Sequence, residues 1–418
     1  MTRALVIDVG TGTQDILLFD TDREIENAYR LILPSPTVLV ADRIRRATAA
    51  GAPIVLRGPT MGGGPSHWAA RDHAAAGLRL AASESAARSF DDDLDGVRAM
   101  GIQVLDDDAI ADLARRPDSV IVNTGDIRLE AIAGAFAPFG VELGSVDAVV
   151  VAVFDHGAAP PGVSDRRFRF GLLRERLRRE PAAGPAAFAH LAEDIPAPFT
   201  RLEAATRSVL DWLAIAGWGR QTPAPVVAMD TGPAAVLGAL DDTTVAAALR
   251  AGRPVVAVNV GNFHTLGMRL SVDQTDGVQI DGIAEHHTGE LDRAALFELV
   301  SRLADGTIDD EAVFRSMGHG ALVRDGWQPD GATPLVAVTG PRRSILVGAR
   351  LDGLGTVHAA VPHGDMMQTG TFGGLRGLAH RLPAWRASID ARLGPALGRP
   401  PGDPAAALGI PAPGGEQA

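Results

Sequence analysis

The chain has 418 residues, 46% of them hydrophobic, and a formal net charge of -12. That length predicts two or three domains or one two-lobed unit, and the acidic balance argues against nucleic acid and anionic membranes as partners. There is no cysteine, and all 39 basic residues are arginine. Disulfides, thiolate-held iron–sulfur clusters, a Schiff-base lysine and a phosphate loop of the G-x-x-x-x-G-K type are therefore excluded.

In chain order, Leu5-Val6-Ile7-Asp8 leads into a small-residue turn, Val9-Gly10-Thr11-Gly12-Thr13-Gln14-Asp15, and Ile16-Leu17-Leu18-Phe19-Asp20 leaves it. The pattern predicts strand, tight turn, strand. Glycine leaves room for a ligand against the backbone. The turn N–H groups with the Thr11 and Thr13 hydroxyls can meet phosphate oxygens, and Asp8 at the mouth can hold magnesium through water. An ordinary hairpin ending in an acid is the alternative reading. Residues 27–33 predict a third strand of an antiparallel meander, and residues 38–50 a helix. Strands at 54–56, 102–105, 120–122 and 146–154 then alternate with helices at 66–76, capped by Ser66, and 107–115, which predicts an α/β sheet. Residues 166–179 read as a charged helix with a solvated face, 181–198 as a Pro- and Ala-rich crossing segment, and 202–218 as a helix. Residues 226–230 read as a strand ending in Asp230, before a helix of small residues at 233–240.

The opening pattern then returns. Residues 254–259 read as a strand, Val260-Gly261-Asn262-Phe263-His264-Thr265 as a turn, and 266–270 as the outgoing strand, so the chain reads as two lobes on one plan. Asn259 stands where the first hairpin has Asp8. Helices at 291–303 and 310–317, strands at 335–338 and 358–361, and a small-residue helix at 366–378 follow. The Pro-, Gly- and Ala-rich residues 394–418 predict a disordered tail.

This order of motifs resembles the actin-like ATPase superfamily of sugar kinases, acetate kinases and heat-shock ATPases. The resemblance implies two ribonuclease-H-like lobes with a nucleotide cleft between them, residues 1–224 and 225–393, ahead of the tail. On it, residues 8–15 and 259–265 match the two phosphate hairpins, 230–240 and 364–378 the two connecting helices, and 337–344 the adenosine loop. Closer still, residues 7–19, 33–37, 61–65, 258–265, 285–289 and 362–367 resemble a family labelled pyruvate formate-lyase activating enzyme, a domain of unknown function. A radical activating enzyme needs three closely spaced cysteines, and this chain has none.

The resemblance implies ATP and Mg²⁺ as cofactors, with nucleotide contacts from Gly10, Thr11, Gly12, Thr13, Asn259, Gly261, Asn262, His264, Thr265 and Gly340. Asp8 would hold the metal, and Asp230 or Asp155 would act as base; Asp230 reads equally well as a helix cap. Arg342 and Arg343 would meet base or phosphate in place of lysine, or are solvated. Gly62, Gly63 and Gly64, between a strand and a helix, read as a substrate-binding anion loop, with a flexible turn as the alternative. Several histidines lie beside glycine or an acid, and His286, His287, His319 and His363 suit a transition metal, or line a cleft as hydrogen-bonding groups.

Three functions follow as alternatives: an ATP-dependent phosphotransferase or ATPase, a histidine–carboxylate metalloenzyme transferring a carbamoyl or similar group with ATP, and a nucleotide-sensing regulator. The substrate is a small molecule or a protein. No nucleic-acid or membrane partner is expected, and a homodimer is. No apolar run approaches the roughly 20 residues of a membrane span, and the N-terminal residues lack the basic-then-apolar pattern of a signal peptide. A cytoplasmic protein is therefore expected.

Overall fold

Two six-stranded sheets carry most of the chain, and both follow one strand plan. The structure, a computed structural model, describes residues 2–144, 146–216, 224–273, 277–329 and 331–397. In the first sheet Arg3–Val9 pairs antiparallel with Thr13–Asp20, and that strand antiparallel with Tyr29–Pro34. On its other edge Arg3–Val9 runs parallel to Ala148–Val153, which runs parallel to Val226–Asp230. The second sheet repeats this order. Val255–Val260 pairs antiparallel with His264–Asp273, and that strand with Gly277–His287; on the other edge lie the parallel strands Leu335–Thr339 and His358–Ala359. The mixed α/β class read from the sequence is what the structure shows. Val226–Asp230 pairs within the first sheet, so that sheet extends past residue 224.

The central strands are apolar on both faces because helices cover both faces; every residue of Ala148–Val153 is buried. A smaller parallel sheet, in the order Gln103–Leu105, Leu80–Ser83, Ile54–Arg57 and Val120–Asn123, is inserted between Tyr29–Pro34 and Ala148–Val153. Its own apolar cluster is built around Ile44, Leu56 and Leu80.

The small-residue helices Thr231–Ala239 and Thr369–Arg381 cross at backbone contact. A Cβ on Gly238 would lie 1.8 Å from the Thr369 carbonyl oxygen, and one on Gly373 1.8 Å from that of Ala234. Gly373→Ala is accordingly expected to lower unfolding free energy by roughly 1–3 kcal/mol through overpacking, read as a lower urea midpoint. An unchanged midpoint would mean that the helices separate freely.

Six strands depart from the sequence expectation: Leu80–Ser83, Ala189–Leu191, Gly277–His287, Gly318–Val323 and the two-residue pair Arg350–Leu351 and Gly355–Thr356. Gly277–His287 hides its burial behind polar residues. Asp281 and Glu285 are buried in it because Arg269 and Arg169 pair with them, and such residues erase the apolar signature of a buried strand. Gly318-His319-Gly320 looks like a turn yet forms the edge strand beside Gly277–His287. Ser66 is not a cap: Gly64 occupies the cap position of Pro65–Ala75, and the Ser66 hydroxyl donates to the Gly63 carbonyl at 2.8 Å. The helix Asp165–Arg179 is not merely solvated, since Arg169 is fully buried and Arg166 donates to the Phe314 and Gly318 carbonyls. Residues 217 and 218 of the helix expected at 202–218 lie outside the described residues, as do 398–418 of the expected tail. Leu397 packs against the main core, so ordered packing continues past residue 394. No helix among the described residues is long and apolar enough to cross a membrane.

Candidate active site

The two hairpin turns are built by the same bond. The Gly10 N–H donates to the Thr13 carbonyl at 2.9 Å, and the Gly261 N–H donates to the His264 carbonyl at 3.0 Å. They face each other across one cleft lined by Asp8, Gly10, Thr11, Thr13, Asn259, Gly261, Asn262, His264 and Gly340. The turns touch: a Cβ on Gly12 would lie 2.5 Å from Asn262 Nδ2. Ser35 fixes the first turn, its N–H donating to the Gly12 carbonyl at 3.1 Å and its hydroxyl to the Thr11 carbonyl at 2.6 Å. That commitment explains why Ser35 leaves its own helix, Pro36–Ala49, without a side-chain cap.

Asp8 and Asp15 are cross-strand partners at the mouth of the first turn. The Thr231 hydroxyl donates to Asp8 Oδ1 at 2.5 Å. Thr13 donates to Asp15 Oδ2 at 3.3 Å, while Asp15 Oδ1 is buried with no partner. Burial raises the Asp8 pKa to about 7, with the Asp230 charge adding to it. Burial and then the Asp8 charge raise Asp15 to about 8. Two raised carboxyls and an orphaned oxygen lining the cleft form a donor set that suits a hard divalent cation, which takes carboxylate oxygens. Magnesium therefore fits at Asp8 and Asp15. Asn259, the counterpart of Asp8, adds no charge.

A second cavity adjoins the first and shares Gly10, Thr11, Phe154, Arg201, Phe263 and His264 with it. Gly62, Gly63 and Gly64 line it, but tightly packed. A Cβ on Gly62 would meet Arg201 at 2.6 Å, and one on Gly64 would meet Phe263 at 2.8 Å. Gly64 has φ +52°, so the bend itself also favours glycine. The loop is held further by the Thr37 hydroxyl, which donates to the Gly63 carbonyl. Asp155 and Asp92 face this cavity. Both Asp155 oxygens accept backbone N–H groups, of Gly157 and Leu202, at 2.8 Å. Asp92 is raised to about 6, by burial first and then by the Asp155 and Asp165 charges. Arg201 is committed to Asp126 through Nε at 2.7 Å and Nη2 at 3.0 Å.

Behind His264, which lines both cavities, His156, His264, His287 and His319 place one ring nitrogen each within 4.8 Å of the others. Below them, fully buried Arg169 donates to both Glu285 oxygens at 2.9 and 2.8 Å, to Asp230 Oδ2 at 2.5 Å and to the Asp155 carbonyl at 2.7 Å. Its guanidinium lies 4.0 Å from the Phe154 ring centre, and that ring stacks on His264 at 3.8 Å.

A family described as "Putative pyruvate format-lyase activating enzyme (DUF1786)" matches residues 61–345, more than half of the chain. The chain belongs to this family. No curated protein matches it. Among solved structures it is similar to a carbohydrate kinase from Novosphingobium aromaticivorans, at 14% identity over 95% of this chain and 94% of that one with a TM-score of 0.29. It is also similar to an exopolyphosphatase-like protein, at 12% identity over 95% and 92% with a TM-score of 0.24. Both superpositions are weak.

Several residues singled out from sequence in this family member stand elsewhere. Thr265 is buried within its sheet, its hydroxyl 3.0 Å from that of Thr288. Arg342 is exposed and Arg343 reaches the Ala360 carbonyl at 3.4 Å; neither lines the cleft. Asp230 is a helix cap, accepting the Gly232 N–H at 3.0 Å, and its other oxygen is held by Arg169. His286 is apart from the four-histidine cluster, with its ring nitrogens 3.0 Å from the His287 carbonyl and 3.1 Å from the Ser316 hydroxyl. His363 is also elsewhere, against Phe372. Sequence reading passed over Asp15, Asp92, Arg169 and Arg201. Only Asp15 had a local signal, its place opposite Asp8 across a tight turn.

Proposed function

We propose that the protein binds a magnesium nucleotide in the cleft between the two turns and transfers its terminal phosphoryl group to water or a hydroxyl acceptor in the adjoining cavity. The reading takes the two six-stranded sheets as ribonuclease-H-like lobes of an actin-like ATPase. The observation that carries it is the pairing of the Gly10 and Gly261 turns, each from the leading strand of its own sheet, on one cavity. Backbone N–H groups and the Thr11 and Thr13 hydroxyls would receive phosphate oxygens. Asp8 and Asp15 would hold the magnesium, which when bound neutralises phosphate charge. Phosphoryl transfer of this kind depends on positioning and electrostatics more than on a covalent partner.

The adjoining cavity supports a class of acceptor. Thr60, Ser89 and Thr200 offer hydroxyls beside Asp91, Asp92 and Asp155, while Arg201 is already paired and Arg88 donates to the Asp92 carbonyl at 2.7 Å. That lining favours a neutral or cationic molecule rich in hydroxyl groups over an anion. Asp92, with its pKa near 6, is the carboxyl suited to accept the acceptor proton near neutral pH.

Calorimetry with ATP, with and without Mg²⁺, is expected to give one site that needs the metal. No binding of ATP or a non-hydrolysable analogue would overturn the proposal. Binding without turnover on any polyol or on water would assign the cleft to nucleotide sensing instead.

A further inference from the structure

The four clustered histidines come from four separate places in the chain. His156 follows the strand Ala148–Val153, His264 opens the strand after the second turn, His287 ends the next strand, and His319 lies in the edge strand Gly318–Val323. Their ring centres are close throughout: 4.6 Å for His287 and His319, 5.1 Å for His264 and His287, 5.2 Å for His264 and His319, and 5.4 Å for His156 and His264. Solvent-facing histidines have no reason to converge in this way. Among the buried nitrogens, His264 Nε2 and both nitrogens of His319 have no hydrogen-bond partner. An imidazole that is buried and unpartnered is unfavourable, and two such rings in one place, each with one lone-pair nitrogen, call for a common acceptor of lone pairs.

We propose that His156, His264, His287 and His319 bind a divalent transition metal, zinc by preference, at a centre separate from the magnesium at Asp8 and Asp15. Imidazole ligands without cysteine suit zinc, iron, nickel and copper rather than magnesium. Four nitrogens about 2.0–2.1 Å from a tetrahedral ion lie roughly 3.3 Å apart, so modest ring rotations from the 4.8 Å envelope close the site.

The surroundings supply the supports that a bound metal needs. The His287 Nδ1–H donates to the Met317 carbonyl at 2.8 Å, which leaves Nε2 as the ligand atom. Met317 holds that carbonyl in place with φ +74°, an uncommon backbone for a residue with a side chain. Glu285 Oε2 lies 3.8 Å from His319 Nδ1, in position to orient that ring, and is itself clamped by Arg169. His264 lines both cavities and His156 lines the second, so the ion would face a ligand in either.

The test uses full-length protein purified without a histidine tag or a metal column. Elemental analysis is expected to find about one transition-metal ion per chain. After stripping, Co²⁺ titration should give visible d–d absorption with 1:1 stoichiometry. His264→Ala and His319→Ala should each weaken Co²⁺ at least about a hundredfold. His286→Ala, next in sequence but outside the cluster, should bind as wild type. Asp8→Asn should also leave Co²⁺ affinity unchanged, which separates this centre from the nucleotide site. Because His319 is wholly buried, the more exposed His287→Asn provides a second variant whose fold is checked by circular dichroism. The proposal is overturned if wild-type protein shows no stoichiometric Co²⁺ at micromolar concentration, or if folded His264→Ala and His287→Asn bind as tightly as wild type.

Discussion

Asp8→Asn is expected to reduce magnesium-nucleotide turnover by about a hundredfold or more while leaving the fold intact, and to make the nucleotide-free protein more stable above neutral pH. The catalytic half follows from placement. Asp8 ends the leading strand, opposite Asp15 and 2.5 Å from the Thr231 hydroxyl. An amide can still accept that hydroxyl but adds no charge toward a cation, and losing one preorganised charged group at a reacting phosphate typically costs this much. The stability half follows from burial. Asp8 is 8% exposed and its pKa is raised from 3.8 to about 7. A carboxyl raised on folding favours the folded state while protonated. Its contribution is therefore lost as pH climbs from about 4 through 7, reaching roughly 4 kcal/mol for a shift of this size. Asp15, raised to about 8, acts in the same direction and extends the window upward. Thermal melts of wild type from pH 5 to 8.5 should fall more steeply than those of Asp8→Asn, and Mg²⁺ with nucleotide should flatten the wild-type curve. Unchanged turnover would remove Asp8 from the site. Melting temperatures that rise over this range would contradict a buried, uncompensated carboxylate pair.

What the sequence made legible was local. The Gly10–Thr13 turn and its echo at Gly261–His264 are contiguous, so the spacing that makes the turn also displays it. Small residues at 231–239 and 369–377 likewise announce helices that must approach closely. The histidine centre was legible only in part. His156, His287 and His319 stand in stretches where histidine lies beside glycine or an acid, but strand order alone brings them together and adds His264, and no fixed spacing encodes that. His286 stands beside the acid Glu285 in sequence, yet neighbours on a strand point to opposite faces, so at most one of His286 and His287 can face the cleft. Arg169 was hidden by a different effect. It is one of seven arginines in the helix Asp165–Arg179, and only tertiary packing selects it for burial.

Arg169→Met should therefore have the largest effect on stability of any charge substitution, a loss of about 3–5 kcal/mol in unfolding free energy. Arg169 is fully buried and pairs with Asp230 of the first sheet and Glu285 of the second. Methionine fills much of the volume but leaves two buried carboxylates without a cation and the Asp155 carbonyl without its donor. The penalty is thus mainly the cost of stranded charge, which makes it separable from lost packing. Adding Glu285→Gln to Arg169→Met removes one stranded carboxylate and should recover part of the loss, while Glu285→Gln alone weakens a bidentate pair and destabilises. That pattern of non-additivity is the signature of direct coupling, and urea midpoints of the four proteins measure it. Because Phe154 lies between Arg169 and His264, the same substitution should also disturb Co²⁺ binding at the histidine centre, though less than His264→Ala does. Strictly additive effects, or a loss below about 1 kcal/mol, would mean that each sheet holds its carboxylate independently and that Arg169 does not tie the two together.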